Sequence, residues 1–157
     1  MKSIQSIIFS FGLLFSLLLS NVLYAQDAAL GDWYTVDDDT GEIKSLVTLS
    51  LAENGTMVGV ITKVLKQSTA DGLCDKCEGD LKGQPIEGMQ FIWGVERTSE
   101  GQWEDGKLVD PESGTVYSGN LSIADNPQEL EVRGYVGFSL FGRSQTWQRN
   151  SVKTEVK

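Results

Sequence analysis

From residue 31 onward the chain repeats one pattern: a short run alternating apolar and polar residues, then a cluster of turn formers. Val47, Leu49 and Leu51 alternate with Thr48 and Ser50. Phe91, Trp93 and Val95 share one side of another run, Tyr117, Leu121 and Ile123 one side of a third, and Leu130, Val132 and Val136 one side of a fourth. A period of two belongs to a strand with one buried face. No stretch carries the i, i+3, i+4, i+7 spacing of an amphipathic helix. The punctuation is that of hairpins. Asn54-Gly55 tolerates positive φ at both positions, and Asp110-Pro111-Glu112-Ser113-Gly114 combines a turn-starting Asp, a Pro with preset φ and an exit Gly. Glu100-Gly101 and Asp125-Asn126-Pro127 complete the set. About eight strands follow, near 31–36, 44–51, 56–65, 89–98, 102–109, 115–123, 129–137 and 143–149. The predicted fold is all-β, an antiparallel meander closed or doubled so that its edges are sheltered.

The first residues follow a different rule. Lys2 is the only charge before Asp27, and from Ile7 to Leu19 nearly every residue is Ile, Leu or Phe. A polar, small-residue stretch ending in Ala25 follows. A basic start, an apolar core of ~7–15 residues and a small residue at the cut make a secretory signal, and the run is shorter than the ~20 residues of a membrane span. The expected organisation is a signal peptide over 1–25 and one β-barrel domain over 26–157. The expected location is the periplasm or the outside of the cell, with no stable membrane insertion after cleavage.

The chain has 13 basic and 22 acidic residues. Losing Lys2 leaves 12 against 22, a net charge of −10. Nucleic acid, which rewards clustered Lys and Arg, is a poor partner for such a chain. No histidine is present, so the usual general base and the commonest metal ligand are missing. No cofactor is expected. The run Asp37-Asp38-Asp39-Thr40-Gly41-Glu42 has hard oxygens but not the twelve-residue calcium loop with Gly at its sixth position; it reads as a solvated hairpin turn, with no metal.

Cys74-Asp75-Lys76-Cys77 has neither a second cysteine pair nor a histidine to complete a zinc site, nor the helical context of a redox pair. In an oxidising compartment the two cysteines should bond to each other. They sit in a long, Gly-rich connection from Lys66 to Met89, where a short disulfide ring stiffens the loop locally. Such a loop is either a lid over a barrel mouth or a surface decoration.

The ends of the pattern answer each other. Gly31-Asp32-Trp33 opens the first strand and Arg149 closes the last. This looks like the calycin arrangement of lipocalin-type barrels, in which a Trp packs under a basic residue, and it gives Trp33 and Arg149 a structural role. The last strand is polar on both faces, with Arg143, Gln145, Trp147 and Arg149 on one and Ser144, Thr146 and Gln148 on the other. Its inner side therefore needs water, a ligand or polar partners. Arg133 and Tyr135 share a face of the preceding strand. Arginine's forked donors suit carboxylate or phosphate, while internal pairing with Asp110 or Glu131 is the plainer alternative.

Several motifs recur in order: Gly31-x-Trp33, Asp39-x-Gly41, Cys74-x-x-Cys77, Asp110-Pro111-x-x-Gly114-x-x-Tyr117 and Arg133-Gly134-Tyr135-x-Gly137-x-x-x-x-Gly142-Arg143-x-x-x-Trp147-x-Arg149. Together they resemble the bacterial family of exported proteins catalogued as domain of unknown function 2147, over Ala29 to Arg149. The resemblance implies one small calycin-like domain, secreted or periplasmic. It brings no catalytic assignment.

Three functional expectations result. The first is a barrel that binds a small anionic or amphiphilic molecule, lined by Tyr117, Arg133, Tyr135, Arg143, Gln145 and Trp147. The second is an envelope interaction or structural module with a filled barrel, meeting a protein partner through Phe138, Leu140 and Phe141. The third is a carboxylate-dependent hydrolase or isomerase using Asp110 with Lys107 or Tyr117. No catalytic residue is assigned.

Overall fold

Turn chemistry cuts the chain where the pattern predicts. In the computed structural model, which describes residues 27–37, 39–123 and 125–151, eight strands follow one another: β1 (Gly31–Val36), β2 (Ile43–Leu51), β3 (Met57–Val64), β4 (Gln90–Ser99), β5 (Gln102–Val109), β6 (Val116–Ile123), β7 (Glu129–Tyr135) and β8 (Gly142–Arg149). The expected signal segment and its cut lie outside the described residues, as does Asp38. Gly55 (φ 81°) and Gly114 (φ 73°) hold the left-handed positions that their turns require. Each strand pairs antiparallel with the next, and β8 returns to β1, so the sheet is a closed barrel. Among the described residues no helix is long and apolar enough to cross a membrane.

Alternation fails locally at bulges. Phe91, Trp93 and Val95 do not share a face: the buried residues of β4 are Phe91, Ile92 and Val95, and Trp93 is only partly buried. Register shifts between β3 and β4 and a left-handed Gly94 (φ 68°) insert extra residues, and each one flips the side chains beyond it. A bulge in β5 between Trp103 and Gly106, with Asp105 at φ 60°, does the same.

The core fills one end. Trp33, Val47, Leu49, Met57, Trp103, Leu121 and Leu130 are fully or almost fully buried. Residues 27–30 close that end as a turn, with the Leu30 N–H donating to the Asp27 carbonyl at 3.0 Å. The Trp33 Nε1–H donates to the Ala29 carbonyl at 2.9 Å. One Asp27 carboxylate oxygen accepts the Ala29 N–H at 2.9 Å and the Trp103 Nε1–H at 3.3 Å, and the other lies 3.1 Å from Arg97 Nε.

The seam between β1 and β8 is short, matching Trp33 with Arg149 and Tyr34 with Gln148. Arg149 secures it. Its guanidinium carbon stands 4.1 Å from the Trp33 ring centroid, and its N–H groups donate to the carbonyls of Ala28, Leu30 and Pro127. Burial lowers the guanidinium pKa from its ordinary value, but so strong a base stays charged. A cation over an indole contributes ~0.5–2 kcal/mol, and hydrogen bonds from a charged donor add to it. Arg149→Met should therefore cost about 2 kcal/mol or more in urea unfolding. A loss below about 0.5 kcal/mol, the scatter of neutral surface substitutions, would show the clamp to be incidental.

The acidic β1–β2 turn is organised by Asp37, whose carboxylate accepts the Thr40 hydroxyl and N–H, both at 2.9 Å, and the Asp39 N–H at 3.2 Å. These bonds, led by the Thr40 hydroxyl, hold its pKa below the ordinary 3.8. A depressed folded-state value stabilises the fold above the unfolded pKa, and this contribution is lost as pH falls through the folded value. NMR titration should place the Asp37 midpoint below 3.8 in the folded protein, and Thr40→Ala should move it upward. An Asp37 midpoint unmoved by that substitution would contradict the assignment.

Candidate functional site

At the end opposite the core the barrel opens. The β1–β2, β3–β4, β5–β6 and β7–β8 connections all lie here, as an up-and-down meander requires. They surround a cavity of about 260 Å³, just under the ~300–1,000 Å³ usual for ligand pockets.

Its lining is built strand by strand. On β8, Trp147, Gln145 and Arg143 follow one another toward the mouth and pair across β7 with Leu130, Val132 and Gly134. On β6, Tyr117 stands beyond Gly119 and Leu121. On β1 and β2, Thr35 and Ser45 share a 2.7 Å hydroxyl hydrogen bond beyond the buried Trp33 and Val47. On β1, β2, β6, β7 and β8 the inward positions pass from apolar at the closed end to polar or open at the mouth. The cavity therefore has an apolar floor of Ile61, Ile86, Leu108, Val109, Val132 and Trp147. Its polar wall comprises Thr35, Ser45, Tyr117, Arg143 and Gln145, and Lys44, Lys66, Asp110 and Glu112 stand at the lip. Trp147 packs beside Phe91, with ring centroids 6.1 Å apart, and its Nε1–H donates to Gln145 Oε1 at 3.3 Å.

Glycines make the room. A Cβ at Gly119 would come within 2.5 Å of Leu108 Cδ2, and one at Gly106 within 2.5 Å of Val95 Cγ2. Each glycine lets a larger neighbour cross the interior instead. Gly134 likewise leaves the wall open beside Tyr117 and Leu108.

The Lys66–Met89 connection covers part of the mouth. Cys74 and Cys77 form a disulfide, both buried, and the Cys74 sulfur lies 3.3 Å from the Pro111 carbonyl oxygen. The loop doubles back through the Leu73–Pro85 bridge and the Ile86 N–H to Gly72 carbonyl bond of 2.9 Å. Gly114 sits tightly below it, because a Cβ there would stand 2.0 Å from the Lys76 carbonyl oxygen. Through this fold the connection delivers Lys66, Ser68 and Ile86 to the cavity.

Of the six residues expected to line the site, the structure brings together Tyr117, Arg143, Gln145 and Trp147. Arg133 and Tyr135 do not join them. The alternation of β7 turns Leu130, Val132 and Gly134 inward and sends Arg133 and Tyr135 to the outer face. There Arg133 donates to Ser144 Oγ at 3.1 Å and to the Ser139 carbonyl at 3.2 and 2.6 Å. Ser144 in turn donates to Glu131 at 2.9 Å. Lys107 also faces outward, bonded to Ser118 at 2.9 Å, so Asp110 and Lys107 are not assembled in the cavity. The Asp110 carboxylate accepts the Glu112 N–H at 2.9 Å and the Ser113 hydroxyl at 2.6 Å, both within its turn.

The lip carries its own ion pairs. The Lys44 ammonium bonds Glu112 and lies 3.8 Å from Asp37. Lys66 bonds Glu42, which raises the lysine's pKa. Lys44, Glu112 and the floor apart from Trp147 were not expected from the sequence. Their contribution depends on bulged register and loop packing, although the hydroxyl positions Thr35 and Ser45 carried a readable signal. Among the described residues no group of three or more His, Cys, Asp or Glu side chains is placed to hold a metal ion.

Comparison with known proteins places this geometry in a family. No curated protein matches the chain. A solved structure described as "Protein HP1028 from the human pathogen Helicobacter pylori belongs to the lipocalin family" superposes with a TM-score of 0.66 at 19% identity. The match covers 78% of this chain and 83% of that one. At that identity the likeness shows the fold, a lipocalin-like barrel. Residues 31–149 match the profile of the family described as "Uncharacterized protein conserved in bacteria (DUF2147)". With the whole barrel from β1 to β8 inside that match, the chain belongs to this bacterial family.

Proposed function

We propose that the protein is an exported binder of a small anionic or amphiphilic molecule, held in the barrel cavity. The observation that supports this reading most is the cavity's polarity gradient. An apolar floor ends on Trp147, a polar wall carries Tyr117, Gln145 and Arg143, and Lys44 stands at the lip. An apolar pocket with a few converging polar groups fixes a ligand's orientation while burying its body. An amphiphile would put its apolar part on Ile61, Ile86 and Val132 and its head near Arg143 and Lys44. The volume favours a small or single-chain ligand.

The lip ion pairs make the charge preference measurable. Glu112 competes for the Lys44 ammonium, so an incoming anion displaces a carboxylate rather than water. The probe is anilinonaphthalene sulfonate, a fluorescent anion with an apolar body, titrated into the protein. Val132→Trp, which fills the floor, should abolish cavity binding. Lys44→Ala should weaken it by about tenfold, the order expected for a charged hydrogen bond, and Glu112→Gln should strengthen it. Arg133→Ala, on the outer face, should leave affinity unchanged. Binding insensitive to Val132→Trp, or weakened by Arg133→Ala as much as by Lys44→Ala, would overturn the reading.

A further inference from the structure

The exposed apolar side chains are not scattered over the barrel. Among the described residues eight large hydrophobic side chains are exposed, and seven stand at the mouth; Leu51 is the exception. Every mouth connection contributes. Ile43 follows the β1–β2 turn, Leu65 begins the β3–β4 connection, and Val116 follows the β5–β6 turn. The β7–β8 connection carries the most, with Val136 62%, Phe138 78%, Leu140 86% and Phe141 81% exposed.

That connection is a built element. Ser139–Phe141 form a 3-10 turn, closed by the Phe141 N–H donating to the Phe138 carbonyl at 3.0 Å. Arg133 grips it from the barrel wall through the Ser139 carbonyl. The outward arginine expected in the cavity thus fixes an apolar tip beside the cavity's entrance. Phe138, Leu140 and Phe141 are held away from the core, with their area turned to solvent. Exposed apolar groups gathered around one opening mark a contact surface.

We propose that the barrel mouth is a membrane-docking face, with the Phe138–Phe141 tip inserted into the interfacial zone of a neutral lipid bilayer. Three observations favour a bilayer over a protein. The anchors come from four separate connections and encircle an open cavity, so a protein covering them all would have to plug it. A lipid surface accepts scattered anchors without shaped complementarity. Lys44, Lys66 and Arg143 line the cavity at this same end, where docking would bring them toward lipid phosphates. The cavity opens at the same end as this apolar ring, so docking would bring its entrance to the bilayer surface. A second copy of the chain is disfavoured because each exported copy carries the −10 charge that follows from 12 basic and 22 acidic residues. The same charge sets the lipid preference, since anionic surfaces repel it. The proposal deepens the binding reading by naming the source of the ligand, yet it can be tested apart from it.

The test is flotation of the exported chain with vesicles of phosphatidylcholine and phosphatidylethanolamine, and with the same vesicles enriched in phosphatidylglycerol. The wild type should float with the neutral vesicles and less with the anionic ones. Phe138→Asp/Leu140→Asp/Phe141→Asp should reduce neutral-vesicle binding by about tenfold or more, with thermal unfolding and anilinonaphthalene sulfonate binding retained. Val132→Trp should float like the wild type while losing the probe, so failure of docking and failure of the cavity reading are distinguishable. Wild-type protein that stays unbound, or a triple variant that floats as well as wild type, overturns the docking face. So does a wild-type dimer in sedimentation velocity that the triple substitution dissociates, which would assign the tip to a second copy.

Discussion

Closure of the sheet at its shortest seam is the constraint on which the rest depends. β1 and β8 are matched over two residue pairs, far fewer than the seven between β7 and β8. Arg149 joins the seam to the plug at residues 27–30, through the Trp33 ring and the carbonyls of Ala28 and Leu30. Next to the clamp the barrel is filled by Trp33, Trp103 and Leu130. Beyond it, Thr35 and Val36 on one strand and Gln145 and Arg143 on the other become walls of a cavity. The barrel therefore has a closed, apolar half sealed by this clamp and an open half with polar walls.

That division explains why β8 is polar on both faces. Its outer face meets water and Arg133, and its inner face leaves the core after Trp147. Inward polar groups such as Gln145 and Arg143 stay out of the dry core because they border the cavity and its mouth. Gly106, Gly119 and Gly134 serve the same end by omission, ceding interior space to Val95, Leu108 and Tyr117. The disulfide loop then shapes one side of the mouth by pressing Cys74 and Cys77 against the Asp110–Gly114 turn.

Much of this fold was legible in the sequence. The period of two, the Asn54-Gly55 and Asp110–Gly114 turns and the two ends Trp33 and Arg149 carry the meander and its closure. The site was less legible for a definite physical reason. Alternation reports that Arg133 and Arg143 differ in register, but not which register faces inward. The apolar residues of the preceding strand decide that: Leu130 and Val132 claim the interior together with their β8 partners Trp147 and Gln145, which excludes Arg133 and Tyr135. Bulges hide more, since Gly94 and Asp105 shift the faces of β4 and β5 without altering composition. Lys44 and Glu112 are far apart in sequence and meet only because two turns share one end of the barrel.

The proposed binding function requires that the cavity hold a small molecule in the cell. Native mass spectrometry of the protein, isolated without denaturation from the cells that make it, is the decisive measurement. A binder should carry a mass excess of one small anionic or amphiphilic molecule that disappears on denaturation and is absent from Val132→Trp prepared in parallel. The bare chain mass under the gentlest conditions, or an excess carried equally by Val132→Trp, would contradict it.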